Sequence, residues 1–307
     1  MRFTRRRLIE IAGAMGAYYQ LSAWGDTPWS KGEELPKLKA PAGSVDSHIH
    51  LYDDRVQPVA GASLTPPTAT LADYRFLQRR LGIERMVIVT PSTYGFDNSL
   101  MLAGLAQSNG SARGVAVVQP NITDEELSSL DQAGVRGIRF NLSFGGTKIE
   151  ELERLAARVN ELGWHVQLVS PGEELPRLES KLLKLPCRLV IDHLGQLAQP
   201  GGVTSDGFAA LSRLVVTGRV WTKLSAPYNT SKSGAPGYFD FGQVASALVK
   251  LRADRLMWGS DWPHPTMKSD KPDDAQIFDL LASWAPEEGD RRLILRDNAV
   301  KLYRFDI

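Results

Sequence analysis

The sequence predicts an α/β fold, one (β/α)8 TIM barrel over residues 44–307 of the 307-residue chain. Eight short runs rich in Val, Ile and Leu alternate with amphipathic helical patterns, as in a barrel of parallel strands. Polar residues recur where these runs end, and this is the end of the barrel that carries active sites. The alternative, a doubly wound open sheet, is disfavoured because the sequence has no Gly-rich phosphate-binding turn.

The predicted strands are short and are bounded by glycine or by polar residues. They lie at 44–50, 85–90, 113–118, 136–141, 164–169, 187–193, 219–225 and 255–261. The clearest helical pattern spans 147–162, where apolar residues recur along one stripe. Thr147 with Glu150, and Thr123 with Glu126, have the spacing of a capping box at a helix start. Gly163 directly follows the helical pattern of 147–162, where a glycine commonly ends a helix.

Composition and charge exclude several classes of function. The chain is 43% hydrophobic and 23% charged, as in an ordinary globular protein, and its net charge of +1 gives no reason to expect nucleic-acid binding. Its single cysteine, Cys187, excludes an internal disulfide and a zinc site built from several cysteines. No apolar run approaches the roughly 18 residues of a membrane span. The expected partner is a small molecule, and the sequence leaves the oligomeric state open.

The N-terminus predicts export. Residues 1–24 contain an arginine cluster followed by a weakly apolar segment rich in Ala and Gly, which is the layout of a twin-arginine signal. Residues 25–43 are rich in Pro, Lys and Gly and are interpreted as a linker. We therefore expect a periplasmic protein, the alternative being a cytoplasmic protein that keeps an amphipathic tail.

Ionisable residues close four of the predicted strands. His48 and His50 end the first strand, Arg139 lies near the end of the fourth, His193 ends the sixth and Asp261 ends the eighth. Burying such groups without partners is costly, so their convergence at one end of a barrel indicates an active site.

Four loop residues are further candidates for substrate contacts. They are Ser92 and Tyr94 after the second strand, Tyr228 after the seventh and His264 in the loop after the eighth. His165 opens the fifth strand instead of closing it, so we interpret it as structural. Four carboxylates near these positions are left out of the site: Asp46 lies deeper in its strand, Asp192 should face the helices, and Asp53 and Asp54 lie in a loop.

Several stretches resemble the amidohydrolase superfamily. HIH at 48–50, VIDHLG at 190–195 and WGSDWPHP at 258–265 match its histidines on strands one and six and its aspartate on strand eight. With ARGVAVV, AGVRGIRFN, LGWHV and VWTKLS, the sequence looks most like the pyrone-dicarboxylate lactonases within the amidohydrolase 2 type. The resemblance covers residues 44–303 and implies hydrolysis of a lactone without a metal.

The resemblance also implies residue roles. Asp261 would be the general base that activates water, His48, His50 and His193 would polarise the lactone carbonyl, and Arg139 would hold a substrate carboxylate. This chain departs from those lactonases at three positions, where Gly145, Val169 and Asn229 replace two arginines and a tyrosine. Most of a clamp for a dicarboxylate is then missing. We expect a hydroxylated or singly charged lactone as substrate.

Two questions stay open at the level of sequence. His48, His50, His193 and Asp261 could also hold one divalent ion, zinc or manganese, although Val169 in place of a further ligand argues against two metals. The alternative functions are lactone isomerisation, metal-dependent decarboxylation, or binding of a sugar acid by an inactive barrel.

Overall fold

The computed structural model describes residues 27–306, so the predicted export signal at 1–24 lies outside the described part of the chain. Eight parallel strands form one sheet in the order β1 to β8. They are β1 Val45–Ile49, β2 Arg85–Val89, β3 Ala112–Ala116, β4 Val135–Asn141, β5 His165–Val169, β6 Arg188–Ile191, β7 Val220–Leu224 and β8 Leu256–Trp258. The predicted barrel is confirmed.

Helices connect successive strands and cover the outside of the sheet. They are α1 Leu71–Leu81, α2 Ser99–Ala106, α3 Asp124–Gln132, α4 Leu152–Glu161, α5 Leu175–Leu183, α6 Asp206–Val216, α7 Phe239–Arg252, α8 Asp274–Trp284, α9 Glu288–Arg292 and α10 Asn298–Tyr303. None of the helices in the described range is both long enough and apolar enough to cross a membrane.

The barrel closes between β1 and the chain just after β8. Ile49 pairs with Trp262 in a parallel bridge, the His50 N–H donates to the Trp262 carbonyl at 2.8 Å, and the Asp261 N–H donates to the His48 carbonyl at 2.9 Å. These bonds place His48 of β1, and His50 just after it, beside Asp261.

A buried carboxylate fastens the same seam. Asp46 Oδ1 accepts from the backbone N–H groups of His48 at 3.1 Å and Ser260 at 3.0 Å. Its Oδ2 accepts from the hydroxyls of Ser260 at 2.6 Å and Tyr74 at 3.1 Å. Burial raises the pKa of Asp46 to about 6, and the four hydrogen bonds oppose that rise. Asp46 therefore holds the strand of His48 to the loop of Asp261.

The inside of the barrel is apolar at one end and polar at the other. Inward-facing valines of β1, β2, β3 and β6 pack against Leu302, Tyr303 and Phe305 of the C-terminal segment, which closes the end where the strands begin. Above this layer, inward positions carry polar groups, among them Arg139, Gln167 and Lys223. The polar end of the barrel is therefore separated from the opposite opening by a layer of apolar side chains.

His165 lies low in the barrel, as its place at the start of β5 predicted. Its side chain is buried, meets the ring of Tyr303 edge-on at 5.0 Å and does not line the cavity at the strand ends. Gly137 on β4 leaves room for it, since a Cβ there would come within 2.6 Å of the imidazole. Burial lowers the pKa of His165 to about 3, so the ring stays neutral.

Local predictions succeeded at some helix ends and failed at others. Thr123 and Glu126 form the expected capping box, and Gly163 follows α4 with φ +67°. The box expected at Thr147 and Glu150 is wrong. The Thr147 hydroxyl donates to the Val118 carbonyl, and a short 3₁₀ turn precedes α4.

The described part of the predicted linker, residues 27–43, contains no helix or strand and packs on the barrel. Arg80 of α1 is its main anchor. The guanidinium donates to the carbonyls of Glu34 at 2.9 Å and Lys31 at 2.8 Å, and it pairs with Asp273 at 2.7 Å. The segment therefore bridges α1 and the start of α8.

We predict that His165→Leu reduces the acid sensitivity of the fold. The pKa of His165 is about 3 in the folded protein and 6.5 in a model peptide, so the unfolded chain binds a proton first as the pH falls. Stability lost between pH 6.5 and about pH 4.5 should be smaller by about 2 kcal/mol in this variant. The measurement is the unfolding free energy from urea titrations at each pH. Leu168→Met, on the same strand, changes no titratable group and should keep the wild-type slope; equal slopes for all three proteins would contradict the prediction.

Candidate active site

Three imidazoles surround one carboxylate oxygen at the strand ends. Asp261 Oδ1 lies 3.6 Å from the Nε2 atoms of His48 and His50 and 3.9 Å from that of His193. The Nε2 atoms of His48 and His50 are themselves 3.2 Å apart. All four side chains are buried. The structure thus brings together the four residues that the sequence predicted as catalytic.

Two of these residues adopt left-handed backbone conformations just beyond their strands. His193 has φ +53° and Asp261 has φ +61°. The sequence predicted that each would be the last residue of a strand, but both lie beyond the strand ends. Such a conformation is unfavourable for residues other than glycine and is found at functional sites held by their surroundings. Here it turns both side chains into the mouth of the barrel.

The hydrogen bonds of His50 define its tautomer. Its Nδ1 lies 2.7 Å from the Val89 carbonyl, which can only accept, so the proton is on Nδ1. Burial, with the nearby Arg139 charge, lowers the pKa of His50 to about 4. The ring is neutral near pH 7, and its Nε2 lone pair faces the cluster.

His193 has a more adaptable partner. Its Nδ1 lies 2.8 Å from the Ser225 hydroxyl, which can donate or accept. Burial lowers the pKa of His193, and the Asp261 carboxylate partly opposes that effect. His193 can therefore present either a proton or a lone pair at Nε2.

The second oxygen of Asp261 is held by a chain of side chains. The Tyr228 hydroxyl donates to Asp261 Oδ2 at 2.8 Å and lies 3.0 Å from His264 Nδ1. His264 Nε2 lies 3.0 Å from Asp274 Oδ2, and both of these side chains are fully buried. Oδ1 of Asp261 is therefore the oxygen that faces the histidines. His264, expected to contact substrate, has no ring nitrogen left to offer it.

A buried lysine underlies the histidines. Lys223 on β7 donates from Nζ to His48 Nδ1 at 3.1 Å and to Gln167 Oε1 at 2.9 Å, and it pairs with Asp192 Oδ1 at 3.4 Å. Burial lowers the pKa of Lys223 to about 8, and Asp192 opposes that change. Below that pH the side chain is an ammonium inside the barrel.

Asp192 faces the interior, which corrects the expectation that it faces the helices. The inward positions at the end of β6 are Val190 and Asp192, because His193 lies beyond the strand and turns back. Gln167 Nε2 donates to Asp192 Oδ2 at 2.9 Å, and Arg139 Nε lies 3.6 Å from it. Although burial alone would raise it, Lys223 and the imidazoles of His48 and His193 hold the pKa of Asp192 well below its usual range.

The cluster opens into a small cavity of about 20 Å³. Its walls include His50, His193, Asp261, Arg139 and Ser92, whereas His48 lies beneath its floor. A second chamber of about 480 Å³ lies outside it and shares Phe144, Gln196, Asn229 and Thr266 with it.

The other predicted contacts lie away from the inner cavity. Tyr228 lines the outer chamber. Tyr94 does not line the inner cavity, and its hydroxyl bonds with the backbone of Asp53 instead. Tyr52, which the sequence did not single out, lines the inner cavity.

The donor atoms are close enough together to hold one metal ion, but a proton on the ring of His48 opposes metal binding. Ligand atoms of a tetrahedral zinc site lie about 3.3 Å apart for bonds of about 2.0 Å. Donor atoms of His48, His193 and Asp261 lie within 4.8 Å of one another, so these residues could hold a metal. However, Lys223 donates to His48 Nδ1, which puts the proton of the neutral ring on Nε2, the coordinating atom.

The polar residues beneath the cluster were missed at the level of sequence. A signal was present in VWTKLS, because alternation along β7 places Trp221, Lys223 and Ser225 on the inward face. A lysine at an inward position of a barrel strand requires partners. One partner, Gln167, follows from the same alternation on β5, whereas Asp192 faces inward only because His193 leaves the regular strand geometry.

Comparison with known proteins shows the family to which the chain is similar. The model of the amidohydrolase family matches residues 45–305. The chain is 35% identical over 302 residues to a 2-pyrone-4,6-dicarboxylate hydrolase of Comamonas testosteroni, covering 94% of this chain and 98% of the relative. It is also 35% identical over 271 residues to a 4-sulfomuconolactone hydrolase of Rhizobium radiobacter, covering 86% and 90%.

Similarity extends to solved structures. An apo crystal structure from Agrobacterium tumefaciens is 28% identical and superposes with a TM-score of 0.84, covering 91% of this chain and 99% of the other. The family match spans the whole barrel, and the histidines and aspartate predicted from the sequence meet at its mouth. By sequence and by fold, the chain belongs to the amidohydrolase family.

Proposed function

We propose that this protein is an enzyme that hydrolyses a lactone to its hydroxy acid. The arrangement of Asp261 Oδ1 among three imidazoles, with Arg139 on the cavity wall, carries the proposal. Both relatives named above are lactone hydrolases, which supports the same reaction type here.

Asp261 is placed to act as the general base. Tyr228 holds its Oδ2, which leaves Oδ1 to take a proton from water as the water attacks the lactone carbonyl. The ring C–O bond then breaks, and Asp261 returns that proton to the departing ring oxygen. One water is consumed, and the product is a hydroxy acid.

The oxyanion that forms on the lactone carbonyl requires N–H donors. Which histidine can donate depends on which ring nitrogen carries its proton. His48 carries its proton on Nε2, and His193 does so when Ser225 donates to its Nδ1. His50 is different, because its proton is bound to the Val89 carbonyl and its Nε2 is an acceptor. We therefore assign carbonyl polarisation to His193, which lines the cavity, whereas the Nε2 proton of His48 is directed to His50 Nε2.

The wall of the inner cavity favours a substrate with one carboxylate. Arg139 is the one lysine or arginine among the described residues that line it. Apart from His50, His193 and Asp261, the remaining polar lining is amide and hydroxyl, from Tyr52, Ser92, Asn141, Gln196, Asn229 and Thr266. Such groups suit a hydroxylated ring better than a second anionic group.

We further propose that hydrolysis proceeds without a metal. A divalent ion held by His48, His193 and Asp261 would supply Lewis-acid polarisation of the carbonyl. The hydrogen bond from Lys223 to His48 supports the metal-free form instead, since it places a proton on the coordinating nitrogen.

A substrate screen tests the reaction class. Purified protein is incubated with aldonolactones, aldarolactones and muconolactones while acid release is followed, and NMR identifies the product of each active compound. We expect an opened hydroxy acid, and a lactone isomer as the sole product would contradict hydrolysis.

We predict that Asp261→Asn lowers kcat by roughly 100- to 10,000-fold, because the amide cannot accept the water proton. The change keeps the shape of the side chain, so KM should change little. Asp54→Asn is the control. It alters an exposed carboxylate four residues after His50 and should keep wild-type kcat. Unchanged turnover in Asp261→Asn would remove Asp261 from the mechanism.

We predict that Arg139→Gln raises KM by about 10- to 100-fold for a lactone that bears one carboxylate, because a charge-assisted contact is lost. The methyl ester of the same lactone lacks that anion, so its KM should be nearly the same in both proteins. Steady-state kinetics on the acid and ester pair separate this role from general damage. Equal losses on both substrates would contradict carboxylate binding.

We predict that chelation leaves the activity intact. Protein dialysed against a strong chelator and checked for residual metal by mass spectrometry should retain at least about 80% of its kcat, since each step above uses side chains alone. Loss of turnover that returns on adding zinc or manganese would show that a metal is required.

A further inference from the structure

One chain of hydrogen bonds in the barrel runs in a single direction. Lys223 Nζ donates to His48 Nδ1 at 3.1 Å, His48 Nε2 lies 3.2 Å from His50 Nε2, and His50 Nδ1 lies 2.7 Å from the Val89 carbonyl. An ammonium can only donate and a carbonyl can only accept. With both ends fixed, the His48 proton must be on Nε2 and must point toward His50.

A competing partner for His48 lies close by. Asp192 Oδ1 is 3.4 Å from the same His48 Nδ1 and, on its own, would draw the proton to that nitrogen. A carboxylate behind an imidazole is the arrangement that frees Nε2 to coordinate a metal. Lys223 is nearer to His48 Nδ1 and also pairs with Asp192 at 3.4 Å, so it occupies the position that the carboxylate would use.

We propose that Lys223 is a positioning residue that makes His48 an N–H donor and thereby opposes metal binding by the cluster. In this form the Nε2 proton of His48 is directed to His50 Nε2 at 3.2 Å, beneath the floor of the cavity. Without the ammonium, the proton of the neutral His48 ring moves to Nδ1, where it donates a hydrogen bond to Asp192. The Nε2 lone pair of His48 then joins those of His50 and His193 around Asp261.

The charge of Lys223 acts in the same sense as the tautomer. It is a fixed cation beside the imidazole, fully buried and held by Gln167 and Asp192. Little solvent lies between it and the cluster to screen its repulsion of a divalent ion. One side chain therefore opposes a metal both by its charge and by the proton that it places on His48.

A purely structural role makes a different prediction. If Lys223 only neutralised Asp192, its removal would lower stability without altering the proton position on His48. The tautomer and the zinc affinity are readouts that such a role leaves unchanged. Neither measurement uses a substrate, so the proposal, although it deepens the proposed function, can fail or stand separately from it.

The first experiment reads the tautomer in the wild-type protein. Long-range proton–nitrogen NMR spectra of protein labelled with ¹⁵N-histidine distinguish a ring protonated at Nε2 from one protonated at Nδ1, and His48→Gln assigns the signal. We expect His48 to carry its proton on Nε2. A His48 ring protonated at Nδ1 would overturn the proposal, and this result does not depend on the folding of any lysine variant.

The second experiment measures zinc affinity by calorimetry. Lys223→Met keeps the length of the side chain while removing its charge, and it should bind zinc at least about tenfold more tightly than the wild type. Asp192 keeps Gln167 and Arg139 as partners in that variant. Adding Asp261→Asn should abolish the gain, which locates the ion at this cluster.

Lys271→Met is the matched control for the second experiment. Its ammonium donates to the carbonyls of His264 and Met267 near the same end of the barrel, but it makes no contact with His48. Its removal should leave the zinc affinity at the wild-type value. A folded Lys223→Met protein with unchanged zinc affinity, or an equal gain in Lys271→Met, would overturn the assignment of this role to Lys223.

Discussion

The closure of the barrel between β1 and the segment after β8 is the constraint on which the site depends. It joins residues that are more than two hundred positions apart, and the Asp46 carboxylate fastens it to Ser260 across a separation of 214 residues. Because Asp46 is two residues from His48 and bonds Ser260, the neighbour of Asp261, a shift in this seam would separate the Asp261 carboxylate from the imidazoles. A displacement of about 1 Å is enough to cost a catalytic site much of its rate.

The polar interior is energetically unusual and is organised by opposite charges. Burying an ammonium and a carboxylate costs several kcal/mol per ion unless each finds partners. Lys223 and Asp192 find them in one another and in Gln167, and Lys223 also donates to His48. Hydrophobic residues of similar volume would often be at least as stable. The network is therefore better explained by what it imposes on the histidines than by the stability it adds.

The fold and the convergence of the predicted site residues were predictable because both follow from regular patterns. Eight alternating units predict a barrel, and strand ends predict where its chemistry lies. The positions of His48, His50, His193 and Asp261 followed from those two rules alone. The errors arose where the backbone departs from regular geometry.

The departure at His193 shows why. Its left-handed conformation lets two successive residues face inward, whereas strict alternation allows only one, and no pattern in the sequence indicates which residue turns. His264 and Tyr228 were expected to contact substrate because they lie in loops above the barrel. Their hydrogen bonds to each other and to Asp261 depend on the three-dimensional path of two separate loops, which periodicity does not encode.

The size of the inner cavity has a consequence for the rate of the whole cycle. About 20 Å³ is far below the roughly 300–1,000 Å³ of pockets that hold drug-sized ligands, so the cavity is too small for a lactone ring in this conformation. The loops that separate the two chambers, which meet through the hydrogen bond from Thr266 to Asn229, must part before substrate enters and again before product leaves. Each turnover then includes two openings, and motions of this kind limit kcat in many enzymes whose chemistry is fast.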